Sequence, residues 1–361
     1  MRVAFVMPGV GVVQRGAEAF VVELATALRD RHGFDVTLFC RGDVALPHAR
    51  VRAVPRDQRL VNGIYSGSRL GKKVLDTLFL DPQNLEWDTA ALSALRRLFR
   101  GGFEAVVMEG GLVGAWGARF LRRRRGVPWV DIAHGNDPKW EGAFARQRPD
   151  RVVAFTEAAA RMIRGRAPRA RVEVIPHGVD LDLFRPGVTP VALDLPRPIV
   201  LAAGAVDAHK RMALAVEAVA RLGRASLVVL GQGPEAAAVD RLAAARLPGR
   251  YLRTVAPRTD MPSWYAAADC FTLPSLTESF GLAYLEAMAC GRPCVAPDDE
   301  VRREVVGYAG LFCEPADVES YAAGLSTALD REWGDLPRMR AGRFPVAATV
   351  RAYAELLSNL K

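Results

Sequence analysis

Two glutamates with seven residues between them stand in the part of this sequence best suited to chemistry. Glu278 follows a predicted strand, whereas Glu286 lies inside a predicted helix over 282–290 whose other polar group is the Tyr284 hydroxyl. A buried carboxylate without a partner costs several kcal/mol, so Glu286 must be hydrogen-bonded. Its partner is either a ligand or an internal group such as an arginine.

The backbone before this helix is suited to binding anionic or hydroxyl oxygens. Ser279, Phe280, Gly281 and Leu282 lie at or near the helix start, where free amides and the helix dipole attract phosphate and sugar oxygens. Gly281 also allows a ligand to approach the main chain. These features predict a site for a polyol and a phosphate, not a nucleophile with its base.

Alternating strands and helices must position these residues. The strands are short and apolar on both faces, which is typical of a parallel sheet covered by helices. A Pro- and Gly-rich stretch interrupts the alternation, and we interpret residues 185–197 as a linker. The sequence thus predicts an α/β fold of two facing, doubly wound, Rossmann-like domains, with ligands in the cleft at the carboxyl ends of the strands.

The segment 277–296, TESFGLAYLEAMACGRPCVA, resembles the E-x7-E signature of family-4 retaining glycosyltransferases of the GT-B fold. Four further segments resemble motifs of that family in the same order, with His177 in place of the usual Asn in the first. They are IPHGVD at 175–180, GAVDAHKR at 204–211, LGQGP at 230–234 and WYAAAD at 264–269.

The first half of the chain resembles the family at fewer positions. Arg15-Gly16-Ala17-Glu18 resembles the glycine loop that closes on the donor diphosphate, with arginine where a second glycine is common. His134-Gly135 resembles the family's cleft histidine; a capped loop histidine is the alternative. The family's last helix returns to the first domain. We therefore expect residues 1–184 and 346–361 to form an acceptor domain, and residues 198–345 a donor domain.

The resemblance implies a role for each matching residue. Lys210, Glu278 and His134 would be catalytic: Lys210 at the leaving diphosphate, Glu278 at hydroxyls of the donor sugar and His134 near that sugar. Glu286 would bind the ribose of the nucleotide. The remaining donor-binding residues would be Gly16, Gly204, Arg211, Gly233, Ser279, Phe280, Gly281 and Leu282. Ala205 stands where the family commonly has an arginine, so Arg211 either supplies a second charge or points to solvent.

The implied activity is transfer of a hexose, with mannose or glucose expected, from a UDP-sugar or GDP-sugar to a hydroxyl acceptor by same-face substitution. Glycan, lipid-linked and small-molecule acceptors stay open, with cell-envelope synthesis as the expected setting.

No Asp-x-Asp pair ends a predicted strand, so we expect neither metal nor other cofactor. A phosphorylase, an NDP-sugar epimerase and a non-catalytic binding module are the alternatives. Gln14 stands where a dinucleotide fingerprint needs its third glycine, which argues against an oxidoreductase.

Composition narrows the partners and the location. The 361 residues carry a net charge of +9, and only five of the 49 basic residues are lysines. The excess predicts an anionic partner, but the arginines are not interleaved with aromatic residues as in nucleic-acid-binding proteins. Scattered cysteines and the lack of a long apolar run predict a reduced, cytoplasmic protein, with peripheral contact at the inner face of the membrane left open. Residues 68–80 could lie on that membrane or form an ordinary amphipathic helix, and Arg122–Arg125 could be a docking surface or a solvated face.

Overall fold

The computed structural model describes residues 1–12, 16–53, 82–109, 111–135 and 137–360. Their contacts divide the chain into two compact units, Met1–Ile175 with Val350–Lys361, and Pro176–Thr349. The predicted linker, residues 185–197, lies within the second unit. Just before it, the Arg338 guanidinium donates hydrogen bonds to the carbonyls of Leu181 and Phe184, which anchors the chain there.

The first unit contains a parallel sheet in the order β3-β2-β1-β4-β5-β6-β7. Its inner strands are buried along most of their length because helices cover both faces. The strands are β1 Arg2–Val6, β2 Asp35–Cys40, β3 His48–Arg50, β4 Ala105–Met108, β5 Trp129–Ile132, β6 Arg151–Ala154 and β7 Val172–Val174. The helices before residue 176 are α1 Gly16–His32, α2 Pro82–Arg100, α3 Gly111–Arg125, α4 Pro138–Ala145 and α5 Glu157–Arg166.

The second unit contains a parallel sheet in the order β10-β9-β8-β11-β12-β13. Its strands are β8 Ile199–Ala203, β9 Ser226–Leu230, β10 Tyr251–Thr254, β11 Cys270–Thr272, β12 Cys294–Pro297 and β13 Gly310–Cys313. Its helices are α6 Met212–Leu222, α7 Ala236–Arg246, α8 Met261–Ala267, α9 Leu282–Ala289, α10 Glu300–Val306, α11 Val318–Asp330 and α12 Leu336–Ala341, and α13 Val346–Ser358 follows.

Both sheets have the same winding. In each, the chain runs outward from a first strand to one edge and then crosses to the other side of that strand. The crossing lies between β1 and β4 in the first unit and between β8 and β11 in the second. Ligands of such sheets bind beyond the carboxyl ends of the two strands that flank the crossing. The residues after these four strands are therefore where functional side chains are expected.

The prediction of two doubly wound α/β units with parallel sheets is confirmed. The elements between β12 and α13, namely β13 and the helices α10, α11 and α12, were not predicted, and neither was the edge strand β3.

Candidate functional site

An ion pair joins the loops that follow β8 and β11, the two strands at the crossing of the second sheet. Lys210 lies between β8 and α6, and Glu278 lies between β11 and α9. The Lys210 Nζ is 2.5 Å from Glu278 Oε1, and the two side chains are 21% and 12% exposed. The structure therefore brings together two of the three residues predicted to be catalytic.

A second hydrogen bond holds the same carboxylate oxygen. The Ser275 hydroxyl donates to Glu278 Oε1 at 2.7 Å, and Arg302 Nη2 donates to both the carbonyl and the hydroxyl oxygen of Ser275 at 2.8 Å. Arg302 is fully buried and forms an ion pair with Asp299. The sequence analysis missed Ser275 and Arg302, because nothing in the spacing distinguishes this arginine from the many others.

The loop that carries Lys210 is fixed from within and from the neighbouring loop. Asp207 Oδ1 accepts hydrogen bonds from the amides of His209 and Lys210 at 3.0 and 2.9 Å. His209 Nε2 lies 2.8 Å from the Thr277 carbonyl, and the Leu276 amide donates to the His209 carbonyl at 2.8 Å. Lys210 and Glu278 are thus held on two cross-linked loops.

Arg211 contacts the same loop. It precedes α6 with a φ of 53°, in the left-handed region, and its Nε donates to the Pro274 carbonyl at 2.7 Å. The guanidinium therefore helps to hold the loop after β11, an arrangement that neither of the two predicted alternatives included. A role of Arg211 toward a donor stays a prediction.

Glu286 is buried inside α9, as predicted, and its partners are internal. Arg258 Nη1 forms an ion pair with Oε1, and the Tyr265 hydroxyl donates to Oε2 at 2.9 Å. Burial, together with the nearby Glu286 carboxylate, raises the pKa of Tyr265 well above its usual value, so the phenol stays a neutral donor. The expected arginine is therefore Arg258, which the sequence analysis did not identify.

The start of α9 combines a buried side chain with a tight backbone turn. The Phe280 ring is buried between His177 and Phe344, with centroid distances of 5.4 and 5.7 Å. Gly281 has a φ of 90°, and a Cβ there would lie 2.8 Å from Tyr284 Cδ2. Both constraints favour glycine at 281. Any contact of this segment with a ligand would come from the main chain rather than the Phe280 ring.

Close approach to the loop after β8 explains the two glycines that follow β9. A Cβ on Gly231 would lie 1.8 Å from the Gly204 carbonyl oxygen, and one on Gly233 would lie 2.3 Å from the Val206 carbonyl oxygen. The Val206 amide also donates to the Gln232 carbonyl at 3.0 Å. Gly231 and Gly233 therefore let the loop after β9 pack against the loop that carries Lys210, which begins at Gly204 with a φ of 152°.

In the first unit, His134 follows β5 and lies beside an acidic residue after β4. Its Nε2 is 3.2 Å from Glu109 Oε2, and its ring packs against Phe20 and Phe155. The sequence analysis missed Glu109. Its position directly after a buried strand was the signal that could have identified it.

Two buried carboxyls, those of Asp131 and Glu141, flank His134 in the sequence. The Gly135 amide donates to Glu141 Oε1 at 2.8 Å, so Glu141 fixes the turn that carries His134. Burial raises the pKa of Glu141 to about 8, with a contribution from the neighbouring charge of Asp131. Burial likewise raises the pKa of Asp131 to about 7.

Three sequence predictions lie at or outside the limits of the described ranges. Gly16 begins α1 and is exposed, whereas Arg15 and the segment 68–80 lie outside the described residues.

Within the described ranges, no group of three or more His, Cys, Asp or Glu residues could hold a metal ion. No helix there is long and apolar enough to cross a membrane. All five cysteines are buried and free.

Comparisons with known proteins agree with this architecture. Residues 14–183 match the model "Glycosyltransferase Family 4", and residues 197–331 match "Glycosyl transferases group 1". The D-inositol 3-phosphate glycosyltransferase of Mycolicibacterium smegmatis is 28% identical over 98% of this chain and 89% of its own length. Among solved structures, sucrose-phosphate synthase from Thermosynechococcus elongatus is 22% identical with a TM-score of 0.80, covering 99% of this chain and 98% of that one.

A further similar structure is Anabaena Alr3699/HepE in complex with UDP and glucose, which is 18% identical with a TM-score of 0.75 over 99% of this chain and all of that chain. The two family models together span most of the sequence, and the two parallel sheets agree with the GT-B fold class. The chain therefore belongs to the family-4 glycosyltransferases of the GT-B fold and is a glycosyltransferase.

Proposed function

We propose that this enzyme moves a hexose, mannose or glucose, from a UDP-sugar or GDP-sugar to a hydroxyl group with retention of the anomeric configuration. The observation that carries the proposal is the Lys210–Glu278 ion pair after β8 and β11. It provides a cation for a diphosphate and a carboxylate for sugar hydroxyls at the crossing of one sheet.

Lys210 is suited to stabilise the leaving group. An ammonium group has three N–H donors, so the contact with Glu278 leaves donors for phosphate oxygens. Negative charge grows on the diphosphate as the glycosidic bond breaks, and a fixed cation near that charge lowers the barrier. We propose that Gly204, Arg211, Gly233 and the main chain at 279–282 complete the donor site.

Glu278 and Glu286 divide the recognition of the donor in this proposal. Glu278 would accept hydrogen bonds from hydroxyls of the sugar, and Glu286 from the ribose of the nucleotide. In the structure each carboxylate is engaged by a cation and a hydroxyl, Lys210 and Ser275 for the first, Arg258 and Tyr265 for the second. A carboxylate so engaged is a poor nucleophile, which favours same-face substitution over a covalent glycosyl intermediate.

The first unit would serve the acceptor. We propose that His134, held beside Glu109, contacts the transferred sugar or the attacking hydroxyl, and that Gly16 contributes at the start of α1. Relatives named for D-inositol 3-phosphate make phosphorylated cyclitols a reasonable class of small acceptor to test beside glycans and lipid-linked acceptors. Because Lys210 supplies the positive charge, we propose that transfer needs no metal ion.

The test combines nucleotide binding with product analysis. The protein is heated with UDP, GDP and their glucose and mannose conjugates, because a ligand that binds the folded state raises the melting temperature. The stabilising donor is then incubated with an acceptor panel that includes inositol 3-phosphate, and the product anomer is read by NMR. We expect one nucleotide to stabilise, the product to keep the donor's configuration and EDTA to have no effect.

Other outcomes would contradict the proposal in identifiable ways. Sugar release that depends on inorganic phosphate would indicate a phosphorylase, and a changed sugar on the nucleotide without acceptor would indicate an epimerase. Stabilisation by a nucleotide sugar without turnover on any acceptor would favour a binding module. An inverted product would refute retention while leaving the donor site intact.

A further inference from the structure

An apolar surface is exposed on two neighbouring helices of the first unit. Leu92 on α2 is 51% exposed, and Trp116 and Phe120 on α3 are 53% and 49% exposed. Trp116 and Phe120 are four residues apart and therefore share one face of their helix. Large apolar side chains grouped in this way on a surface indicate an interaction site.

The two helices present this surface as one continuous area. They pack closely through small residues: a Cβ on Gly114 would lie 3.0 Å from Ala91 Cβ, and one on Gly117 would lie 2.4 Å from Leu95 Cδ2. The Phe99 and Phe120 rings meet across the joint with a centroid distance of 5.5 Å. We call the area formed by Leu92, Phe99, Trp116 and Phe120 the aromatic face.

Arginines surround the aromatic face. The last turn of α2 carries Arg97 and Arg100, and the last turn of α3 is Arg122–Arg125, of which Arg122 pairs with Asp150. Arg124 lies over the Phe120 ring at 5.3 Å.

Exposed acidic side chains do not offset this charge in the described parts of the two helices. Their acidic residues, Glu86 and Asp88, are 5% and 4% exposed. Glu86 forms an ion pair with Arg41, and Asp88 Oδ1 accepts a hydrogen bond from the Val113 amide at 2.8 Å. Both carboxylates are thus buried and bound to partners inside the unit. The exposed charges of α2 and α3 are therefore those of the arginines.

A cavity lined by arginines adjoins the same helix. It has a volume of about 530 Å³, and none of the described residues that line it is acidic. Arg96, Arg97 and Arg100 of α2 form one wall; Arg52 and Arg50, which pairs with Asp43, form another. Guanidinium groups bind phosphate through paired N–H donors, so the cavity is suited to a phosphate group.

We propose that the aromatic face and its arginines dock on a bilayer that contains anionic phospholipids, with lipid phosphates bound by the arginine-lined cavity. Trp and Phe side chains partition into the interfacial region of a bilayer, and arginines beside them bind its negative surface. The donor site proposed above uses none of these residues. The docking proposal can therefore be wrong while the proposed glycosyl transfer is right, and the transfer proposal can be wrong while docking is right.

Vesicle sedimentation with the full chain tests the proposal. Binding is measured on vesicles of phosphatidylcholine alone and on vesicles in which part of that lipid is replaced by phosphatidylglycerol. We expect binding to the anionic vesicles only, and weaker binding as salt is raised. W116S/F120S should lose most of it, and R123Q/R124Q should lose about fivefold for each arginine removed.

Matched controls come from exposed residues of the second unit. R241Q/R246Q removes the same charge from α7, and M339S removes an exposed apolar side chain from α12; both should bind vesicles as the wild type does. Melting temperature, and its rise with the stabilising nucleotide, show that each variant is folded. Brominated phosphatidylglycerol should quench tryptophan fluorescence in the wild type and less so in W116F.

Two results would overturn the proposal. Binding that is abolished by soluble heparin yet unchanged in W116S/F120S would indicate a site for a soluble polyanion rather than a bilayer. Absence of binding to anionic vesicles by the folded wild type at low salt would exclude docking. Turnover of a soluble acceptor in either case would leave the proposed transfer reaction standing.

Discussion

The two units use the same strand order but hold several of their acidic groups in different ways. In the second unit each carboxylate has a cation, Glu278 with Lys210 and Glu286 with Arg258. In the first unit Glu109 lies beside His134, but Asp131 and Glu141 are held by burial, which raises the pKa of each. Topology thus fixes where side chains gather, and local residues fix the charge there.

The difference has a consequence for the chemistry of each unit. Cations paired with carboxylates can turn spare N–H donors toward phosphate, which suits a donor that carries a diphosphate. Glu141, whose pKa is raised to about 8, holds the turn after His134 and stays mostly uncharged at neutral pH. The first unit is therefore more sensitive to pH, and the second more sensitive to the loss of a single cation.

Replacing Lys210 with methionine should have the largest effect. The variant keeps a flexible side chain of similar length but loses the cation that stabilises the leaving diphosphate. We expect kcat to fall by about 10²–10³-fold, the range for loss of one electrostatic contact in a transition state. Steady-state kinetics with the stabilising donor would measure it.

Arg241, an exposed residue on α7, provides the control for that experiment. R241Q removes a positive charge from the same unit and should leave kcat unchanged. If K210M retained wild-type turnover, the pair after β8 and β11 would be structural, and the electrostatic contrast between the units would have no catalytic meaning.

Glu286→Gln should weaken nucleotide binding more than it slows transfer. Gln can still accept the Tyr265 hydroxyl, but Arg258 loses its ion partner and the ribose loses a charged acceptor. Hydrogen bonds to charged groups are worth about 1.5–3 kcal/mol, so we expect the Kd of the nucleotide to rise about tenfold or more. Calorimetric titration with the free nucleotide diphosphate would measure it.

Removing one negative charge from the surface is the control for the loss of nucleotide binding expected in E286Q. Glu319 is exposed and paired with Arg221, and E319Q should bind the nucleotide as the wild type does. A Kd unchanged in E286Q, together with a lower melting temperature, would assign Glu286 to the internal network with Arg258 and Tyr265 alone.

Glu286 also shows how far the sequence could lead. A single carboxylate in an apolar helix required a buried partner, and the sequence analysis anticipated an arginine. It left a ligand as the alternative and did not identify Arg258, because that residue lies in a short 3₁₀ turn 28 residues earlier in the chain. The two parallel sheets were predictable from apolar strands alternating with helices, since that pattern is local. Partners brought together by the sheet order, such as Ser275 and Arg302, leave no such pattern.

Glu141→Gln should change how the stability of the protein depends on pH. The pKa of Glu141 is raised from 4.5 to about 8, so its folded-state carboxyl stays protonated where the unfolded one ionises. Its contribution is fully present below pH 4.5 and is lost as pH rises to about 8, with a slope of at most about 1.4 kcal/mol per pH unit. A neutral Gln should flatten this decline.

Urea unfolding at a series of pH values would measure that profile. Gln keeps an oxygen for the Gly135 amide, so the turn before α4 should survive the substitution. Asp131→Asn provides a matched variant: the pKa of Asp131 is raised to about 7, so its contribution to stability should be lost by about pH 7. An identical profile in wild type and E141Q would mean that Glu141 ionises normally, and the contrast in how the units hold their acids would fail.

Ser275→Ala should have the smallest effect, and it tests whether the carboxylate of Glu278 needs its second partner. The hydroxyl donates to Glu278 and accepts from the buried Arg302, which keeps the Ser275 carbonyl as an acceptor after the substitution. One neutral hydrogen bond contributes about 0.5–1.5 kcal/mol, so we expect the KM for the donor sugar to rise by a few fold at nearly constant kcat. Ser263→Ala on α8 of the same unit is the control. A large loss of kcat in S275A would instead show that the position of Glu278 depends on this hydroxyl more than on Lys210, and that the ion pair alone does not organise the second unit.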